Sequence, residues 1–272
     1  MPLVHAVAPG VVAADTITKL PPDASGQVVV SGSHGGRYPG YLAAKAGVRA
    51  VILNDAGVGK DAAGIGALAY LEALGIAAAA VSHASCRIGD TQDMLARGRL
   101  SHANAAARAA GAAPGMACLE AAVLLTSAPH VRGEAPEVGE GRSEIADAGA
   151  RRIVLVDSAA MVRPDDAGCI VVTGSHGGLV GGDPAMALRT DGFAAAFNDA
   201  GIGIDEAGVG RLPALDGRGI AAFTVSAASA RIGEARSSFE DGIVSRVNET
   251  AARLGAAPGM AAREVVMLWA KG

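Results

Sequence analysis

Val28-Val29-Val30-Ser31-Gly32-Ser33-His34-Gly35-Gly36 returns as Ile170-Val171-Val172-Thr173-Gly174-Ser175-His176-Gly177-Gly178. In both, a β-branched run suited to a buried strand ends in a Gly-Ser-His-Gly-Gly turn. The turn sets Ser and His where a parallel strand leaves its sheet, the usual position of sites in open α/β folds.

Matched segments extend outward from this pair. Upstream, Val11 to Thr16 aligns with Ile153 to Ser158, and Pro22-Asp23 with Pro164-Asp165. Downstream, a short helix over 41–47 leads to a strand ending in Asn54-Asp55-Ala56-Gly57, whose counterpart is Asn198-Asp199-Ala200-Gly201. A helix over 64–74 aligns with 208–215, and a third strand over 77–81 with 221–225. That strand runs into Ser82, Ser85 and Arg87, matched by Ser226, Ser229 and Arg231. Helices are expected over about 92–110 and 236–254, each ending at Gly-Ala-Ala-Pro-Gly-Met. After the Ser-His turn the aligned positions stay about 144 residues apart, a period that means domain-sized halves and not a solenoid.

Alternating strands and helices predict parallel strands with crossover helices. The expected fold is therefore α/β and internally duplicated. Two halves related by a pseudo-two-fold axis each hold a mainly parallel sheet sandwiched by helices. Residues 1–127 form the first repeat, opening on an uninformative lead-in over 1–10. The polar, glycine-rich stretch 128–152 is the linker, and 153–272 the second repeat. The polar turns follow strands, so they share one sheet edge, and the cleft between two such edges is the expected site.

Composition narrows the function. Half of the 272 residues are hydrophobic but only 3% are aromatic, so small aliphatic side chains must fill the core. A net charge of −4 without a basic tract argues against nucleic acid as a partner. The three cysteines, Cys86, Cys118 and Cys169, form neither a disulfide framework nor a zinc pattern. No signal peptide or membrane span is legible, so a cytoplasmic chain with no membrane partner is expected. Scarce aromatics and many small residues point to a homo-oligomer.

Four constellations can carry chemistry. In Ser33-His34 and Ser175-His176, a hydroxyl and an imidazole are offered beside the amides of Gly35, Gly36, Gly177 and Gly178, which can hold a carboxylate or an oxyanion. The alternative is a tight turn bonded to its own backbone. Asp55 and Asp199 can orient a histidine, and Asn54 and Asn198 can donate to a carbonyl; the alternative is an Asx turn. Lys60, matched by Ile204, is a candidate base or anion holder, while Asp61 and Asp205 read as helix caps. Ser82, Ser226, Arg87 and Arg231 suggest a grip on a planar anion, with Ser85 or Ser229 placed to attack. The alternative for the arginines is a tie between the halves through Asp90 or Glu234. His83, matched by Ala227, is a second break in the symmetry. Asn104, Asn248, Ser101 and Ser245 are placed on helices as caps or cross-links.

The resulting expectation is an enzyme for a small, polar, anionic substrate, a metal-independent hydrolase of a C–N bond in an amide or cyclic imide. Ser85 or Ser229 attacks, with Ser33 or Ser175 as second choice. His34, His176 or Lys60 takes the proton, Asp55 or Asp199 orients the base, and Arg87 and Arg231 hold the substrate. No cofactor is expected: motifs for nucleotides are missing, and a divalent metal on His34, His176, Asp55, Asp199, Asp61 and Asp205 is the minor alternative. Two further classes remain. One is an isomerase, racemase or metal-dependent lyase, with His34 and His176 as paired acid–base groups. The other is a non-catalytic metabolite sensor.

Overall fold

The computed structural model describes residues 4–146 and 148–272. Residues 1–3 of the lead-in and 147 of the linker lie outside the described residues. The fold is mixed α/β, with two six-stranded sheets and helices, and the two halves are similar in layout.

In the first half, Val4–Ala8 (β1), Val11–Ala14 (β2), Val28–His34 (β3), Ala50–Asn54 (β4), Ala77–Val81 (β5) and Leu100–Ala103 (β6) lie in sequential order. β2 to β5 are parallel, and β1 and β6 pair antiparallel at the edges. Side chains alternate across a strand. Val29 thus packs on Ala43 and Leu71 of Arg37–Lys45 (α1) and Gly66–Glu72 (α2). Val28 and Val30 face Met94, Ala107 and Cys118 on Thr91–Arg97 (α3), Ala105–Ala109 (α4) and Cys118–Leu124 (α5). The order follows from chirality. Same-handed crossovers between neighbouring strands put α1 and α2 on one face, and the other face waits for helices that follow β5.

The second half repeats this with Arg142–Ile145 (β7), Ile153–Val156 (β8), Ile170–His176 (β9), Ala194–Asn198 (β10), Ala221–Val225 (β11) and Val244–Val247 (β12), again in sequential order. Arg211–Asp216 (α6) covers one face through Leu212 and Leu215. Ala235–Glu240 (α7), Glu249–Arg253 (α8) and Ala262–Lys271 (α9) cover the other, where Phe223 and Trp269 pack with ring centroids 5.7 Å apart. No helix takes the place of α1; short 3₁₀ turns over 180–182 and 184–186 stand there.

Several expectations need correction. The helices expected over 92–110 and 236–254 are each broken by an edge strand, β6 or β12. The breaks come at Gly98 and Gly242, where a side chain would meet the carbonyl oxygens of Met94 and Ser238 at 2.4 and 2.3 Å. Ser101 and Ser245 therefore lie on strands, while Asn104 and Asn248 cap α4 and α8 through their side-chain oxygens. The lead-in supplies β1. The stretch read as linker supplies β7, and also Val131 and Ala135, which pack on the first half. Among the described residues, no helix is long and apolar enough to cross a membrane.

The halves meet along the turns that follow their strands. Ala56, Ile88, Ala200 and Ile232 form a small apolar cluster between them. Around it, Lys60 N–H donates to Ala227 O (2.8 Å) and Ile204 N–H to His83 O (3.0 Å), a matched pair of bonds.

Candidate functional site

Both Ser-His turns open on one cleft. Ser33, His34, Ser175 and His176 line a cavity of about 110 Å3, with Thr16 and Ser158 from the ends of β2 and β8. The hydroxyls are positioned by backbone amides: Ile17 N–H donates to Ser33 Oγ (3.0 Å), and Ala159 N–H to Ser175 Oγ (2.9 Å). Neither serine is hydrogen-bonded to a histidine among the described residues.

The imidazoles are neutral. Burial lowers the pKa of His34 to about 4. His176, only 7% exposed, is held well below the ordinary histidine range by burial, then by Arg211 and by His34. Gly36 N–H donates to His34 Nδ1 (3.1 Å), so the neutral ring carries its proton on Nε2. The backbone of Gly178 opposes these effects only weakly, and the buried Nδ1 of His176 is left without a hydrogen-bond partner among the described residues. The amides of Gly35 and Gly177 donate to Asn54 O and Asn198 O, both at 2.7 Å. The glycine donors expected to hold an oxyanion are thus spent at Gly35, Gly36 and Gly177. The donor left on His34 is its Nε2–H.

Several lining groups escaped sequence reasoning, among them Tyr38, Glu140, Asp157 and Arg211, together with the exposed Lys19 and Arg189. Tyr38, at the start of α1, stands beside Glu140, which precedes β7. Burial and the Glu140 charge raise the Tyr38 hydroxyl to about 12. Burial also raises Glu140, with Asp157 adding to the effect, while the Tyr38 and Ser158 hydroxyls pull it back. Asp157 is committed to the backbone, accepting from Gly141 N–H (2.6 Å) and Ala235 N–H (2.8 Å). Arg211 opens α6 and is 3% exposed. Its match in the first half is Ala67, a symmetry break as sharp as those at Lys60 and His83. That break was the available signal for Arg211. Glu140 had none, because it lies in the stretch read as linker.

The other expected site residues lie outside this cleft. Asn54 and Asn198 are fully buried and close Asx turns onto Ala56 N–H and Ala200 N–H, each at 2.9 Å. Asp199 accepts from Gly201 N–H and Ala227 N–H. Asp55 accepts from Gly57 N–H and from the amide and Nδ1 of His83, the last at 2.8 Å. Burial pushes the Asp55 carboxyl up, but the His83 bonds outweigh it and hold the carboxyl below its usual range. The same hydrogen bond raises His83 against the opposing effect of burial.

The serine turns are structural. Ser85 Oγ donates to Ser82 O and accepts from Arg99 N–H, and Ser229 Oγ does the same with Ser226 O and Ile243 N–H. Ser82 and Ser226 accept from Ala84 N–H and Ala228 N–H. The expected attack by Ser85 or Ser229 therefore has no geometric basis. The arginines tie the halves together. Arg231 pairs with Glu234 and reaches Asp61 of the first half at 2.9 Å. Arg87 pairs with Asp90 and Asp93 and reaches Asp205 at 3.4 Å. Asp61 and Asp205, expected as helix caps, instead take left-handed backbone angles (φ 54° and 57°) and meet these cations. Lys60 crosses to Asp241 at 2.9 Å.

Among the described residues, no three His, Cys, Asp or Glu side chains converge to hold a metal ion. No protein-family model, characterised protein or solved structure is significantly similar to this chain.

Proposed function

We propose that the chain is an internally duplicated enzyme whose two halves, related by a pseudo-two-fold axis, share one active site in the cleft of His34 and His176. The substrate is a small carboxylate, and the reaction is metal-free hydrolysis of a C–N bond in an amide or cyclic imide. One observation carries the reading: two histidines from matched turns, both neutral at physiological pH, line the same small cavity. Imidazoles that stay neutral and keep a proton on Nε2 are hydrogen-bond donors to a carbonyl oxygen as it gains charge.

Glu140 is the group suited to move the proton. Burial brings its carboxyl up from the ordinary range, toward the pKa a general base needs. In the proposed step, Glu140 takes a proton from water and the hydroxide adds to the carbonyl carbon. The oxyanion rests on the Nε2–H of His34 and, with His176 taking the same tautomer in this step, on that of His176. Collapse breaks the C–N bond, and the proton held by Glu140 passes to the leaving nitrogen. Ser33 and Ser175, anchored by backbone donors, orient the substrate through their free O–H groups.

A second reading has a specific observation behind it. Neither serine is paired with a histidine, so a base beside two carbonyl-polarising donors also suits proton abstraction next to a carbonyl, as in an isomerase. One experiment separates the two. The protein is incubated with small amides, cyclic imides and oxo- or hydroxy-acids, in heavy-oxygen water and in deuterium oxide, and products are read by mass spectrometry. Heavy oxygen in a new carboxylate supports hydrolysis. Deuterium in recovered substrate supports the isomerase. Binding without either label means a sensor and refutes both enzymatic readings.

A further inference from the structure

We infer that Arg211, a buried cation supplied by only one of the two similar halves, is the anchor for the substrate's carboxylate. This rests on the proposed cleft chemistry and adds the residue that sets the substrate class.

Arg211 is a buried cation that forms no ion pair among the described residues. Its charge meets only dipoles. Nε donates to Gly178 O (3.0 Å), and Nη1 donates to Met186 O (3.1 Å) and Ala187 O (2.5 Å). The guanidinium lies over the Phe197 ring, 5.0 Å from its centroid. Nη2 makes no hydrogen bond among the described residues, and the residue lines the cleft. An isolated buried charge is costly, and carbonyl dipoles offset it only in part. An anion placed on Nη2 supplies the missing counter-charge through a charge-assisted bond.

The surroundings agree. Burial lowers Arg211 to about 10, as expected where no carboxylate holds the charge. The unpartnered Nδ1 of His176 belongs to the same end, because Gly178, bonded by Arg211, follows that histidine in the turn. Glu140 and Tyr38 contribute a different chemistry to the cleft, acidic and hydroxylic. In the first half Ala67 stands where Arg211 does, and α1 stands where the second half has the 3₁₀ turns of 180–186. The cleft therefore joins two matched histidines to one buried cation, Arg211, while the other cations that line it, Lys19 and Arg189, are exposed.

The test compares malonate with neutral malonamide by titration calorimetry, on wild type and on Arg211→Gln. Wild type is expected to bind malonate at least tenfold tighter than malonamide. The variant is expected to lose that preference by weakening malonate alone. Equal weakening of both ligands would show that Arg211 only braces the 178–187 loop, and would overturn the inference. So would a wild type without preference, or a variant that keeps it. Should Arg211→Gln fail to fold, a wild-type crystal soaked in malonate decides: a carboxylate on Nη2 supports the anchor, and one seated elsewhere removes it. The two proposals can fail separately. Lost preference with no turnover of any compound leaves the anchor standing and defeats the enzyme. Turnover with unchanged KM in the variant does the reverse.

Discussion

Matched residues from the two halves meet in two places, and the two have opposite character. At the cleft, Ser33, His34, Ser175 and His176 surround open space, and hydrogen-bonding groups are left over. At the second meeting point, Gly57 and Gly201 touch, and the polar groups around them are consumed. Arg231 is taken by Asp61 and Glu234, Lys60 by Asp241, and His83 by Asp55. The loops there are also strained: Val58 and Ile202 hold left-handed angles (φ 61° and 63°) that β-branched residues resist. In sequence both regions read as polar turns after strands. What separates them is whether the donors are already spent. The second region ties the halves together, and the first keeps polar groups unspent beside open space.

The largest expected effect is on turnover. His34→Ala and His176→Ala should each slow the reaction by about 10²–10³-fold, the usual loss for one oxyanion donor. Steady-state assays on the substrate found by labelling check this, and wild-type rates in either variant would remove that histidine from the chemistry. At the other meeting point the effect should fall on stability. A side chain at Gly201 would start 2.9 Å from Gly57 Cα and from the His83 ring, on a backbone of φ +76°. Gly201→Val should therefore cost about 3 kcal/mol in urea unfolding.

A finer contrast concerns pH. The folded pKa of His34 lies at about 4, below its ordinary 6.5. Its contribution to stability is complete above pH 6.5 and is lost as pH falls toward 4. His83 has a raised folded pKa, so its contribution is complete below pH 6.5 and is lost as pH rises through the folded value. Urea midpoints across pH should show an acid-side decline that His34→Ala flattens and an alkaline-side decline that His83→Ala flattens. Matching profiles for the two variants would contradict the assignment.

The smallest effect should come from the ion pairs between the halves. Arg231 and Asp61 are 34% and 62% exposed, so Arg231→Ala should cost about 0–1 kcal/mol. Malonate binding should be unaltered; a tenfold loss would return Arg231 to the site as a substrate grip.

Much of the scaffold was legible. The β-branched runs placed β3, β4 and β9, alignment with β4 placed β10, and the repeated turns placed their exits on one edge. The edge strands were not legible: Leu100-Ser101-His102-Ala103 is too short and too poor in alternation to stand out between two helices. Within the candidate site, Ser33, His34, Ser175 and His176 were legible as a repeated pair. Ser85 and Arg87 were over-read, because a repeated polar motif signals a repeated need, and here the need was to bond Arg99 N–H and to pair with Asp90 and Asp93. Tyr38 and Glu140 were out of reach, since neither belongs to a matched motif.

The sequence by itself determined the period of the chain, the strands that carry the Ser-His turns, and the positions where the halves differ, among them Lys60, His83 and Arg211. These are local or comparative properties, fixed by side-chain pattern and alignment. Only the tertiary structure decided that the two histidines share one cavity, that burial keeps them neutral, and that the serine and arginine turns are already bonded. Those outcomes depend on which groups from distant segments meet, and on how much water the packing removes from them. Desolvation and the sharing of hydrogen bonds arise in three dimensions, and a linear pattern of polar residues does not encode them.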